Sequence, residues 1–168
     1  MRDGHLVLIG EMGSGKTTVG AKVAAALGRP LVDSDRQIEE RFGESGRALA
    51  RQHGVAWLHQ AEADALREAL DREGPAVIAP AASIADRPDL VDALADPALT
   101  VVLLDGDPVV LRARAGAGDH RRPLDLEEAR TLARERRERT LAVASLVVDV
   151  TSIDAGEAAA QVLHHVLA

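Results

Sequence analysis

Gly10-Glu11-Met12-Gly13-Ser14-Gly15-Lys16-Thr17 decides the fold of this 168-residue chain. The stretch matches G-x-x-x-x-G-K-[ST]. It follows the apolar run Leu6–Ile9 and opens a helical pattern over 15–27 that stops at Gly28. Strand, glycine-bearing turn and helix form the context in which this pattern cradles phosphates. Glycines let the backbone wrap closely and aim its N–H groups at phosphate oxygens. The helix N-terminus adds a dipole that favours an anion. Lys16 offers a compact positive charge to the β- and γ-phosphates, and the Thr17 hydroxyl suits Mg²⁺. ATP with Mg²⁺ is the expected ligand. The bland alternative is an ordinary strand–helix turn.

Working outward, short apolar runs alternate with longer amphipathic ones. Strands are expected at 6–9, 31–32, 76–79, 100–104 and 146–150. They are short and unalternating, as strands buried on both faces of a parallel sheet are. Helices are expected at 15–27, 36–42, 56–72, 88–94, 108–115, 126–141 and 155–166. Gly28, Gly43 and Gly74 supply stop signals. This alternation predicts an α/β domain with right-handed crossovers. No internal repeat or linker divides it, so residues 1–168 read as one domain.

Three further clusters carry chemistry. Leu31-Val32-Asp33-Ser34-Asp35 places two carboxylates at the carboxyl edge of the sheet, where open α/β sheets bind ligands. If the strand continues, Asp33 and Asp35 point the same way. One then serves Mg²⁺ and the other binds or deprotonates a hydroxyl; alternatively, one of them caps the next helix. Arg114 and Arg121-Arg122-Pro123-Leu124 flank a glycine-bearing stretch. They fit either a lid, at about 112–125, that closes over phosphates, or a charged surface loop. Arg134-Glu135-Arg136-Arg137-Glu138-Arg139 reads on its own as a solvated helix face, with Glu135 and Arg139 paired.

Composition narrows the function classes. The net charge is −7, the aromatics are Trp57 and Phe42, and there is no tyrosine. Neither a cationic footprint nor a stacking platform for nucleic acid is present. The core is expected to rest on Leu, Val, Ile and Ala. With no cysteine, disulfides and thiolate chemistry are excluded. No apolar run reaches the ~20 residues of a membrane span, and the N-terminal run is too short for a signal peptide. A cytoplasmic monomer acting on a small molecule is expected.

Taken together, these segments resemble the shikimate kinase family of P-loop kinases. The resemblance covers roughly residues 6–150. Its carriers, in order, are G-x-M-G-x-G-K-[ST]-[ST]-V-G from Gly10 to Gly20, L-G-x-P from Leu27 to Pro30, and D-x-D-x-x-I-E from Asp33 to Glu39. The rest are G-x-S at Gly43, Gly54 before a long helix, R-P-L at Arg122, and V-A-x-x-x-V-D from Val143 to Asp149. The resemblance implies a P-loop NTPase-type three-layer sandwich with a five-stranded parallel sheet, and transfer of the ATP γ-phosphoryl to a ring hydroxyl of shikimate. It implies nucleotide contacts at Gly13, Ser14, Gly15, Lys16, Thr17 and Thr18, with Arg114 near the adenine and Arg122 over the phosphates. Thr17 and Asp33 would serve Mg²⁺, and Asp35 the acceptor hydroxyl. Lys16, Asp35 and Arg122 would carry the chemistry, and Arg136 would meet the acceptor carboxylate.

Two departures fall on the acceptor side. Where the family has G-E-x-x-F-R-x-x-E, this chain has Gly54-Val55-Ala56-Trp57-Leu58-His59-Gln60-Ala61-Glu62. His59 replaces an arginine, and imidazole cannot reproduce a bidentate carboxylate pair. His59 is either an acceptor contact or a helix-surface residue. Where the family has G-G-G, this chain has Pro80-Ala81-Ala82, which fills space that glycine leaves open. Ala81 is the expected acceptor contact there. The competing readings are a nucleotide-binding paralogue without kinase activity and a kinase for a cyclitol or sugar acid.

Overall fold

The computed structural model describes residues 4–116 and 126–168. Its strands are β1 (Leu6–Ile9), β2 (Leu31–Asp33), β3 (Val77–Ala79), β4 (Thr100–Asp105) and β5 (Leu146–Asp149). They form one five-stranded sheet in the order β2-β3-β1-β4-β5. Every neighbouring pair is parallel, with β1 set between β3 and β4. The helices are α1 (Lys16–Leu27), α2 (Ser34–Phe42), α3 (Gly46–His53), α4 (Val55–Leu70), α5 (Pro88–Ala93), α6 (Pro108–Ala115), α7 (Leu126–Val143) and α8 (Ala155–Leu167). A 3-10 turn spans Ala82–Asp86.

β1 shows why the sheet sits at the centre. Its four residues are all buried. Leu6 and Leu8 face a cluster with Val19 and Val23 of α1 and Ala158, Ala159 and Val162 of α8. Val7 and Ile9 face the opposite cluster, with Ala63 and Leu66 of α4 and Leu90 of α5. The two-residue side-chain period sends alternate residues to opposite layers, so helices cover both faces. The core is aliphatic, as composition requires. Trp57 and Phe42 pack edge to face, with centroids 5.0 Å apart, beside the small cluster beneath α2, α3 and α4.

The expected strands and most helices lie within a few residues of their observed bounds. α3 was not expected. Ser45 caps it, its hydroxyl accepting from Ala48 N–H at 3.3 Å, and Gly54 closes it. A second correction concerns β2. It does not run on to Asp35, because the Asp33 carboxylate accepts from the backbone N–H groups of Asp35 and Arg36 and starts α2. The two-residue period therefore does not apply across Asp33 and Asp35.

Candidate active site

β1 ends at Gly10, and the loop to α1 turns through Gly13 (φ 81°) and Gly15 (φ 87°), in the left-handed region. At Gly13 a side chain has no room. A Cβ there would lie 2.0 Å from the Leu111 carbonyl oxygen of α6. The loop is thus pressed against α6 and shaped by glycine, with the N-terminus of α1 at its mouth. The Lys16 ammonium donates to the carbonyls of Gly10 at 2.7 Å and Glu11 at 3.1 Å. It is held inside the loop, where a phosphate would be surrounded. Ser14 is buried, and its hydroxyl has no partner among the described residues. Thr18 sits exposed in the first turn of α1.

Thr17 Oγ1 donates to Asp33 Oδ2 at 2.7 Å, while Asp33 Oδ1 caps α2 at 3.1 and 3.2 Å. Asp33 is 5% exposed, and it takes the capping role while its second oxygen faces Thr17. The pair offers hard oxygen donors, which suits Mg²⁺. Ser34, with a buried hydroxyl also unpartnered among the described residues, lines the same cavity.

That cavity has a volume of about 400 Å³. Lys16, Thr17, Asp33, Asp35, His59, Ala81, Arg114 and Arg136 all line it. The structure thus brings both sides of the expected site together, the nucleotide loop and the acceptor residues. His59 is half-buried and lines the wall of this cavity. Arg114 donates to the carbonyls of Val150 at 2.7 Å and Thr151 at 3.0 Å, clamping α6 to the segment after β5. Residues 112–115 of the expected lid belong to α6. Arg121 and Arg122 lie outside the described residues.

Arg136 corrects the solvated-face reading of its cluster. It is 4% exposed, although its neighbours Glu135 and Arg139 do pair across the helix surface at 3.6 Å. Its guanidinium grips Asp86 in a two-point contact, Nε donating to Oδ1 at 2.7 Å and Nη2 to Oδ2. Nη1 donates to both Glu11 oxygens, at 3.3 and 3.1 Å. Burial alone would lower its pKa, but the Asp86 and Glu11 carboxylates more than offset that and raise it. A buried guanidinium in such company stays charged.

Sequence reasoning missed four residues here: Glu11, Asp86, Glu62 and Ser83. Glu62 is 6% exposed, accepts from the Ser83 hydroxyl at 2.5 Å, and lines the cavity with it. Its signal was available, as the last residue of the helix motif quoted above. Glu11 had one too, since a carboxylate beside a phosphate cradle is an electrostatic oddity. For Asp86 and Ser83, on an irregular turn, there was none.

A larger cavity of about 870 Å³ opens on the other side of the P-loop, between the end of β4, α6 and α7. Glu11 and Arg136 line its wall. The smaller cavity, not this one, holds Lys16, Thr17 and both aspartates.

Comparison with known proteins bears on this geometry. A family model described as shikimate kinase matches residues 12–168. A shikimate kinase of Symbiobacterium thermophilum is 37% identical over 139 residues, covering 79% of each chain. One from Moorella thermoacetica is 35% identical over 162 residues, covering 95% of this chain and 92% of its own. Among solved structures, the shikimate kinase of Acinetobacter baumannii in complex with shikimate superposes with a TM-score of 0.84. It is 26% identical and covers 98% of this chain and 93% of its own.

Proposed function

The chain belongs to the shikimate kinase family, and from that premise we propose that it transfers the γ-phosphoryl group of ATP to a ring hydroxyl of shikimate. It is an ATP-dependent kinase that works with Mg²⁺. The observation that carries the site assignment is the single cavity that joins Lys16 and Thr17 to Asp33, Asp35, His59 and Arg136.

Phosphoryl transfer needs positioning and charge stabilisation more than covalent help from the protein. The loop backbone and the α1 N-terminus hold the phosphate oxygens. Lys16 exchanges its present loop carbonyls for the β- and γ-phosphates. Thr17 and Asp33 would hold Mg²⁺, which would supply charge neutralisation at those phosphates. Asp35 takes the proton of the attacking hydroxyl. By the resemblance, Arg122, outside the described residues, serves the transferring group, and Arg114 borders the adenine. His59, Ala81 and Arg136 line the acceptor side, with Glu62 and Ser83 fixing the wall behind it.

The test is an ADP-release assay with ATP, Mg²⁺ and shikimate, run beside a panel of cyclitols and sugar acids. Release is expected with shikimate and lost by about 1,000-fold in Lys16→Ala. Release with a cyclitol or sugar acid, and none with shikimate, overturns the assignment of the acceptor.

A further inference from the structure

The 3-10 turn at Ala82–Asp86 is pinned from both sides. Ile84 and Ala85 are buried in the core. The Ile84 carbonyl accepts from Arg87 N–H at 3.1 Å, and the Ala85 carbonyl accepts from Arg139 Nη1 of α7 at 3.2 Å. Pro88 then opens α5. Asp86 is therefore carried on a backbone with little freedom. Its carboxylate meets Arg136 side-on, Oδ1 accepting from Nε at 2.7 Å and Oδ2 from Nη2. A guanidinium is planar and carries five N–H donors in a fixed fork. Gripping one edge of it fixes the plane and the direction of every other donor. Asp86 takes the Nε proton and one proton of Nη2. The second Nη2 proton and those of Nη1 lie along the far edge, where Nη1 also meets Glu11.

We infer that Asp86 is a positioning residue for acceptor recognition: it holds the Arg136 guanidinium in the orientation that presents its far edge to a carboxylate on the acceptor. The inference rests on the proposed acceptor. Arg136 lines the smaller cavity and Asp86 does not, so Asp86 acts on the acceptor through Arg136. An arginine side chain has many rotamers, and a ligand that had to order it on arrival would bind more weakly. Asp86 does that ordering before the acceptor arrives. Arg136 is buried, so water competes little for the grip. The acceptor carboxylate takes no part in the chemical step, so the effect falls on KM and not on kcat.

Initial-rate kinetics of the wild type, Asp86→Ala, Asp86→Asn and Asp86→Glu test this, with shikimate and its uncharged methyl ester as acceptors. The wild type is expected to prefer shikimate to the ester by about tenfold or more in kcat/KM. Asp86→Ala and Asp86→Asn raise KM for shikimate by about 10- to 30-fold and leave kcat and KM for ATP within about threefold. The ester is used as well as before, to within about threefold, so the preference for shikimate collapses. Asp86→Asn keeps the side-chain volume and decides the matter if Asp86→Ala is too unstable to assay. Asp86→Glu keeps the carboxylate, at a side chain 31% exposed, and recovers most of the wild-type KM. A merely structural role would weaken both acceptors alike, and that result overturns the inference. So does a shikimate KM in Asp86→Asn within about twofold of the wild type. A KM below the wild type also overturns it, because Asp86 would then be competing with the acceptor for the guanidinium. A wild type that uses shikimate and the ester equally well overturns it alone. No turnover of either acceptor by the wild type overturns the proposed function and takes the inference with it.

Discussion

Asp33 offers a dissection of fold from chemistry, because one carboxylate serves both. Oδ1 caps α2 and Oδ2 accepts from Thr17. Asparagine caps a helix about as well as aspartate, so Asp33→Asn keeps the cap through its oxygen, lets its Nδ2 donate to the Thr17 hydroxyl instead of accepting from it, and gives up roughly 0.3–1 kcal/mol of charge–dipole attraction. Alanine loses the cap, about 1 kcal/mol, and the charge-assisted Thr17 bond, about 1.5 kcal/mol at the low end because Thr17 is exposed. For a chain of this size each kcal/mol moves Tm by about 2–4 °C. Thermal unfolding followed by circular dichroism should therefore drop by about 2 °C for Asp33→Asn and about 7 °C for Asp33→Ala. The ADP-release assay should show the opposite grouping. Both variants lose the metal-facing carboxylate, and both should fall about 100-fold in kcat/KM. An Asp33→Asn enzyme within threefold of wild-type activity at saturating Mg²⁺ would refute the metal role. An Asp33→Asn variant as unstable as Asp33→Ala would refute the cap.

Gly13→Ala should weaken ATP binding roughly tenfold or more, about 1.4 kcal/mol, and lower Tm, since its Cβ would press on the Leu111 carbonyl of α6; titration calorimetry reads the first effect and thermal unfolding the second. Arg114→Ala frees the segment after β5 from α6, so KM for ATP should rise while KM for the acceptor stays put, as initial-rate kinetics with each substrate varied in turn would show. Asp154 caps α8, and the backbone N–H groups of Glu157 and Gly156 hold its carboxyl below the usual aspartate range. A group depressed on folding stabilises above its unfolded pKa and loses that contribution as pH falls through the folded one. Asp154→Asn should therefore lie slightly below the wild type in Tm at about pH 7 and converge with it as the pH falls through the acid range, giving a shallower loss below about pH 5.

The nucleotide half of the site was readable because its chemistry is local. Strand, loop and α1 follow one another within 6–27, and glycine spacing dictates the turn. α3 was lost because eight residues between Gly43 and Gly54 give too short a period to register. Its Ser45 cap was the only signal in reach. Asp33 and Asp35 do line one cavity, but not by a shared strand face, since a cap ends β2 at Asp33. Arg136 shows where local reading stops. The pattern around it is that of a wet helix face, and its burial is decided by Asp86 and Glu11, 50 and 125 positions away. The family resemblance put the residue on the acceptor side; only the fold revealed its partners.

The central claim is that one cavity moves a phosphoryl group from ATP to shikimate. The direct measurement is ³¹P NMR of a reaction holding ATP, Mg²⁺, shikimate and the wild-type chain, with Lys16→Ala alongside. The account predicts a new phosphomonoester signal on shikimate that grows in step with ADP and is absent from the variant. ADP appearing with free inorganic phosphate and no phosphorylated shikimate would contradict it.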